Sequence, residues 1–186
     1  MRHALLTMAL LAAAAQATAA QGGLIVYGQG GGVWPVVPLH EDGDDFRESW
    51  SYGAGAALAV SGFVALRASV TRTSTEYRGT RIALTDDHQR RTYLAGDLQI
   101  GFPAYSAWVP YVVLGGGLVR TEPADATQSD VTSPMGRLGL GVNRIGGFFI
   151  WFAEATVAGY QFEGLGFKRL QVDPQVSIGL ALGIPF

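Results

Sequence analysis

The chain has 186 residues, 48% of them hydrophobic, with 26 glycines, no cysteine, and 13 basic against 15 acidic side chains for a formal charge of −2. That length suits one domain, the charge leaves no basic field for nucleic acid, and the lack of cysteine excludes a disulfide framework, thiol chemistry and a thiolate metal site. Beyond residue 20 no apolar run reaches the length of a spanning helix, so the apolar content must be carried by strands, more than an ordinary secreted sandwich needs.

Residues 1–20 read as a secretory signal peptide. Arg2 and His3 form a short basic start, the stretch from Ala4 to Ala15 is apolar apart from Thr7, and Ala17-Thr18-Ala19 gives an A-x-A cleavage pattern. The apolar run is too short for a membrane anchor. Residues 21–186 are then one domain.

Eight strand-like segments follow. The first lies near Gly22 to Gly30 and leads into a polar loop to Glu48 that holds Glu41, Asp42, Asp44 and Asp45. The second, about Ser49 to Val60, aligns Trp50, Tyr52, Ala54, Ala56, Leu58 and Val60 on one face by period two. Helix is the competing reading of the alanines from Ala54 to Ala68, but Gly53, Gly55 and Ser61-Gly62 break it. The third strand, Phe63 to about Thr73, aligns Val64, Leu66, Ala68 and Val70, and a long loop from Ser74 to Gln89 follows. The fourth, Arg90 to Phe102, aligns Leu94, Leu98, Ile100 and Phe102; the fifth, Trp108 to Arg120, contains PYVVLGGG, whose two faces are equally apolar or small. A polar loop from Thr121 to Ser133 precedes the sixth strand, Pro134 to Val142, with Leu138, Leu140 and Val142 aligned. The seventh, Phe148 to about Gln161, aligns Phe149, Trp151, Ala153, Ala155 and Val157.

Short turns at 61–62, 103–107 and 143–147 alternate with long polar loops, the asymmetry of transmembrane barrels. Phe63, Phe102, Tyr105, Trp108, Phe148, Phe149 and Phe186 fall near the short turns or the terminus. Trp34, Trp50, Tyr52, Tyr160 and Phe162 fall near the long loops. Two aromatic girdles at the two membrane–water boundaries are expected from this clustering.

In the final stretch, VSIGLALGIPF, Val176, Ile178, Leu180, Leu182, Ile184 and Phe186 alternate with small residues, and the same parity reaches back to Val172 and Leu170. The opposite face carries Arg169, Gln171, Asp173, Gln175 and Ser177. An apolar strand of this kind with an open edge invites aggregation, whereas a closed barrel in lipid has no edge. These residues resemble the C-terminal strand of the small bacterial outer-membrane β-barrel proteins of OmpA/OmpX or opacity type. The resemblance implies a closed, eight-stranded, antiparallel up-and-down transmembrane barrel in the outer membrane. It also implies that Leu180, Leu182, Ile184 and Phe186 form the signal read by the barrel-assembly machinery.

If the aligned Val, Leu and Ile residues face lipid, Arg67, Asp97, Arg137 and Glu154 face the lumen at similar height. Arg67 and Asp97 lie on adjacent strands, as do Arg137 and Glu154, so two neighbouring pairs are expected. Unpaired, each charge would incur a desolvation cost of several kcal/mol. A charged plug rather than an open pore is the expectation, since eight strands leave little free lumen.

Other chemistry is weaker. Small barrels include a lipid A palmitoyltransferase and a lipid A deacylase. His40, Ser74, Asp86, Asp87 and His88 supply residue types that acyl transfer uses, but no His stands on the late strands where the deacylase resemblance would need one. A soluble lipocalin-like ligand-binding barrel requires a greasy lumen and a polar exterior, the reverse of this placement. The glycines at 28, 30, 31, 32 and 115–117 precede no readable helix, so they offer no phosphate cradle, and the acidic loop lacks calcium-loop spacing. The reading is a monomeric outer-membrane barrel with a structural or surface-interaction role, no cofactor and no metal. Its partners are outer-membrane lipid and lipopolysaccharide, the assembly machinery, and a surface partner bound through the loops.

Overall fold

Period-two alternation puts one face of every strand in contact with the next layer of solvent or lipid and the other in the interior, and eight such strands close on themselves. In the computed structural model the described residues are 23–36, 45–78, 88–103, 107–123, 129–146, 149–164 and 167–185. The signal segment, His40, Asp86, Asp87, Tyr105, Phe148 and Phe186 lie outside them. The strands are β1 (Gly23–Val33), β2 (Ser49–Ala59), β3 (Val64–Arg78), β4 (His88–Gly101), β5 (Trp108–Pro123), β6 (Val131–Gly146), β7 (Phe149–Gly164) and β8 (Phe167–Pro185). Each pairs antiparallel with its sequence neighbours, and β1 pairs with β8 from Gly23↔Pro185 to Val33↔Gln175. That last ladder removes the open edge.

The register fixes the tilt. Starting at Gly23 and following ladder partners gives Ala59, Ala65, Gln99, Val113, Gly139, Thr156, Gln175 and then Val33. One circuit therefore returns from position 23 to position 33 on the same strand. A stagger of that size around eight strands gives a tilt of roughly 40°.

The two faces differ sharply. Trp50 (84%), Ile178 (68%), Leu140 (65%) and Leu138 (61%) are exposed on the outside, whereas Gln171, Asp173 and Arg91 inside are fully buried. The balanced faces of PYVVLGGG are resolved by neighbours: Tyr111, Val113 and Val119 point inward, and Leu114 and Leu118 outward. Gly115 and Gly117 are on the inward side, where a Cβ would strike the carbonyl oxygens of Gly96 and Leu94 on β4. Glycine also makes room for aromatic rings. Tyr27 lies over Gly55, Tyr111 over Gly141 and Phe152 over Gly179, each ring covering its ladder partner on the next strand.

The strands run further toward the long connections than alternation indicates. β3 continues to Arg78 instead of stopping near Thr73, β6 begins at Val131 instead of Pro134, and β7 extends to Gly164. Lipid-driven alternation stops where the hydrocarbon stops. Hydrogen bonding does not, because each polar extension finds an equally extended neighbour. The polar segment before β2 also contains a two-residue strand, Asp45–Phe46, paired with Arg78 and Tyr77 of β3.

Candidate functional site: two buried charge networks in the lumen

Arg67 of β3, Asp97 of β4, Arg137 of β6 and Glu154 of β7 converge in the barrel interior, all at least 93% buried. The Glu154 carboxylate accepts from Arg67 Nη1 at 2.5 Å, Arg137 Nη2 at 2.9 Å and the Tyr111 hydroxyl at 3.0 Å. Arg137 Nη1 donates to Asp97 Oδ2 at 3.2 Å. Arg67 Nη1 also donates to Gln99 Oε1 at 3.3 Å, and its guanidinium lies over the Tyr27 ring, 5.2 Å from the centroid. Two positive and two negative groups cancel, which offsets much of the cost of taking each from water.

Of the two neighbour-strand pairs expected, Arg137 with Glu154 is present, whereas Arg67 and Asp97 each find a partner elsewhere. Arg67 and Asp97 are ladder partners, yet Arg67 spans the lumen to Glu154 on the opposite wall. Asp97 meets Arg137, two strands away, above Gly115. Ladder partners project side by side into the lumen, so a long guanidinium reaches the far wall more readily than it folds back. The missing side chain at Gly115 opens the path between Asp97 and Arg137; a Cβ there would collide with Asp97 Oδ1. The tilt also matters: the ladder partner of Arg137 on β7 is Ala158, and Glu154, four residues nearer the short turns, is the one that meets it.

A second network, nearer the long connections, was not singled out from sequence. Asp173 Oδ2 accepts from the Tyr93 hydroxyl at 2.7 Å, the Tyr160 hydroxyl at 2.8 Å and Arg91 Nη1 at 3.2 Å. Phe46 stacks on the Arg91 guanidinium, 3.7 Å from ring centroid to Cζ, and meets Phe162 edge-on. Tyr160, assigned to a girdle from its place near a loop, is therefore an interior residue, 2% exposed, and so is Phe162. Parity held the signal: Tyr160 is six residues from Glu154, and Arg91 six from Asp97, so each pair shares a face. Position along a strand does not say which side a ring faces.

Of the remaining girdle residues, Phe63, Phe102, Trp108 and Phe149 stand exposed around the short-turn end, and Trp50 and Tyr52 at the other. Along β4 the outward face from Thr92 to Phe102 rises about 26 Å at ~3.4 Å per residue and ~40° tilt, the height of a lipid-facing band. In the terminal strand Leu182 and Ile184 are exposed and Leu180 is half-buried, all on the outward face. At the rim His88 Nε2 lies 3.4 Å from Glu76 Oε1. Among the described residues no three His, Asp or Glu side chains gather as a metal site.

A small vestibule at the short-turn end is lined by Ile25, Tyr27, Gln99, Tyr111, Phe152 and Arg67. Beyond it stand both networks. The arrangement holds charge and packs the lumen.

An apolar exterior, a charged interior and a closed sheet together define an integral β-barrel of the outer-membrane class, and they exclude the lipocalin arrangement, whose faces are reversed. Solved structures similar to it include members of that class. Neisserial surface protein A is 14% identical, with 86% of this chain and 96% of that one covered and a TM-score of 0.63. The outer-membrane protein OprG of Pseudomonas aeruginosa is 16% identical, with 90% and 98% covered and a TM-score of 0.56. These are likenesses of fold. No family model matches the sequence, and no curated protein matches it significantly.

Proposed function

We propose that this protein is a non-conducting, non-catalytic barrel of the outer membrane whose role is structural or surface-interactive. One observation carries the reading: Arg67, Asp97, Arg137 and Glu154 form ion pairs with one another across the lumen, with side chains no more than 6% exposed. Charges so engaged leave no wide aqueous path through this level of the lumen, and none of the four carboxylates and guanidiniums is free to act on a substrate. The barrel works as a monomer, with the lipid of the outer membrane around it and the long connections offered to a surface partner. Leu180, Leu182, Ile184 and Phe186 serve as the assembly signal; truncation of Phe186 is expected to lower the yield of folded barrel in cells.

Planar-bilayer recording tests the plug directly. The folded protein is expected to give no steady single-channel steps, and well-defined steps in the wild type would refute the reading. Mass spectrometry of lipid A from cells with and without the protein tests the catalytic alternative, and identical spectra are expected.

A further inference from the structure

The outward face of β2 to β5 changes character at one height. The ladder row Ala54, Val70, Leu94, Leu118 is apolar. Two residues nearer the long connections, the next outward row is Tyr52, Arg72, Thr92, Arg120. In the row beyond, Arg90 stands between Ser74 and Glu122. Three guanidiniums thus gather at the upper edge of the lipid-facing band.

Thr92 is the second, independent observation. It faces outward, yet it is only 9% exposed, because Arg72 and Arg120 flank it on both sides. Its hydroxyl oxygen is buried and has no hydrogen-bond partner. Arg72 forms no ion pair or hydrogen bond with any described residue. Arg120 is shared between Asp130 at 2.6 Å and Glu122 at 3.3 Å, and Arg90 lies 3.8 Å from the same Glu122. Glu76, the other acid nearby, is held by Arg47 at 2.7 Å. Those are exposed pairs, the kind that is weak and readily exchanged.

Strands ~4.8 Å apart place Arg72 and Arg120 about 10 Å apart at Cα, so that both side chains can converge above Thr92. Planar guanidiniums grip phosphate oxygens two at a time, and a hydroxyl adds a third contact. Tyr52, 65% exposed, supplies an aromatic wall of the sort found at headgroup level. Long connections mark the outer side of such barrels, so the site lies in the outer leaflet.

We propose that Arg72, Thr92 and Arg120, with Arg90 behind them, bind the phosphate of a phosphorylated glycolipid of the outer leaflet. The site rests on the reading of the chain as an outer-membrane barrel, and the experiment separates the two. Folded barrel in detergent is titrated with diphosphorylated lipid A, with the same glycolipid dephosphorylated, and with inorganic phosphate, and bound ligand is read by native mass spectrometry. Wild type is expected to retain the phosphorylated form, and R72Q/R120Q to lose about tenfold or more in retention. Arg144→Gln, on the outward face at the short-turn end, serves as the control and is expected to match wild type. Heat-modifiable gel mobility reports folding of every variant. Equal retention by folded wild type and R72Q/R120Q, indifference to the phosphate, or full competition by inorganic phosphate would overturn the lipid site while leaving the barrel intact. A wild type without heat-modifiable mobility would instead sink the barrel reading itself.

Discussion

Replacing Glu154 by Gln keeps the shape of the side chain and removes one charge. The carboxylate accepts three hydrogen bonds, from Arg67, Arg137 and Tyr111, in a site where its side chain is fully buried. Summed at ~1.5–3 kcal/mol for each bond to a charged group, they give an upper bound of roughly 4.5–9 kcal/mol. Such terms share partners and do not add. The better guide is loss of one member of a buried ion pair, ~3–5 kcal/mol, because Arg67 and Arg137 are left facing Asp97 alone. The assay is urea unfolding of the barrel in lipid vesicles, followed by tryptophan fluorescence and by heat-modifiable gel mobility. Removing Arg67 as well (R67Q/E154Q) leaves Arg137 with Asp97 and restores neutrality, so the double variant should be less destabilised than the sum of the singles by ~0.5–3 kcal/mol. Glu163→Gln, which breaks an exposed 3.0 Å pair with Lys168, is the control and should cost less than ~1 kcal/mol. A Glu154→Gln barrel as stable as the Glu163→Gln barrel, or strict additivity in the double variant, would refute the argument that the charges hold one another.

Asp173→Asn leaves Arg91 buried without its counter-ion and weakens the bonds from Tyr93 and Tyr160; a loss of ~3–5 kcal/mol is expected by the same urea titration. Gly141→Ala pushes a methyl into the Tyr111 ring and the Ala153 carbonyl, whereas nothing lies within 4 Å of a Cβ at Gly136. Gly141→Ala should therefore cost ~1–3 kcal/mol and Gly136→Ala far less; equal midpoints would show that the ring-over-glycine packing is not under constraint. A nitroxide at Leu138 or Leu140 should collide with dissolved oxygen and be shielded from a water-soluble nickel complex, and the opposite ranking would place the apolar face in water.

The architecture was legible in the sequence because a lipid-facing strand has only one acceptable pattern. Leu66, Leu138 and Ile178 could not be moved by one residue without turning a charge into hydrocarbon, so parity fixed Arg67, Asp97, Arg137 and Glu154 as interior residues before any coordinates. The same parity also located Tyr160, Arg91 and Asp173 inside. Tyr160 stands near a loop, which suggests a girdle, but its parity with Glu154 puts its ring inside.

Partnership is what alternation alone leaves open. Side-chain parity is a property of one strand, and it follows from the pleat. Which charge meets which across the lumen depends on the stagger accumulated around the whole barrel, ten residues per circuit from Gly23 to Val33, and on where glycine leaves a gap. That is why Arg67 meets Glu154 and not its neighbour Asp97, and why Phe46, from a segment that reads as a polar loop, covers Arg91. Each local sequence set inside and outside. Closure of the ring, a sum over all eight ladders, chose the contacts.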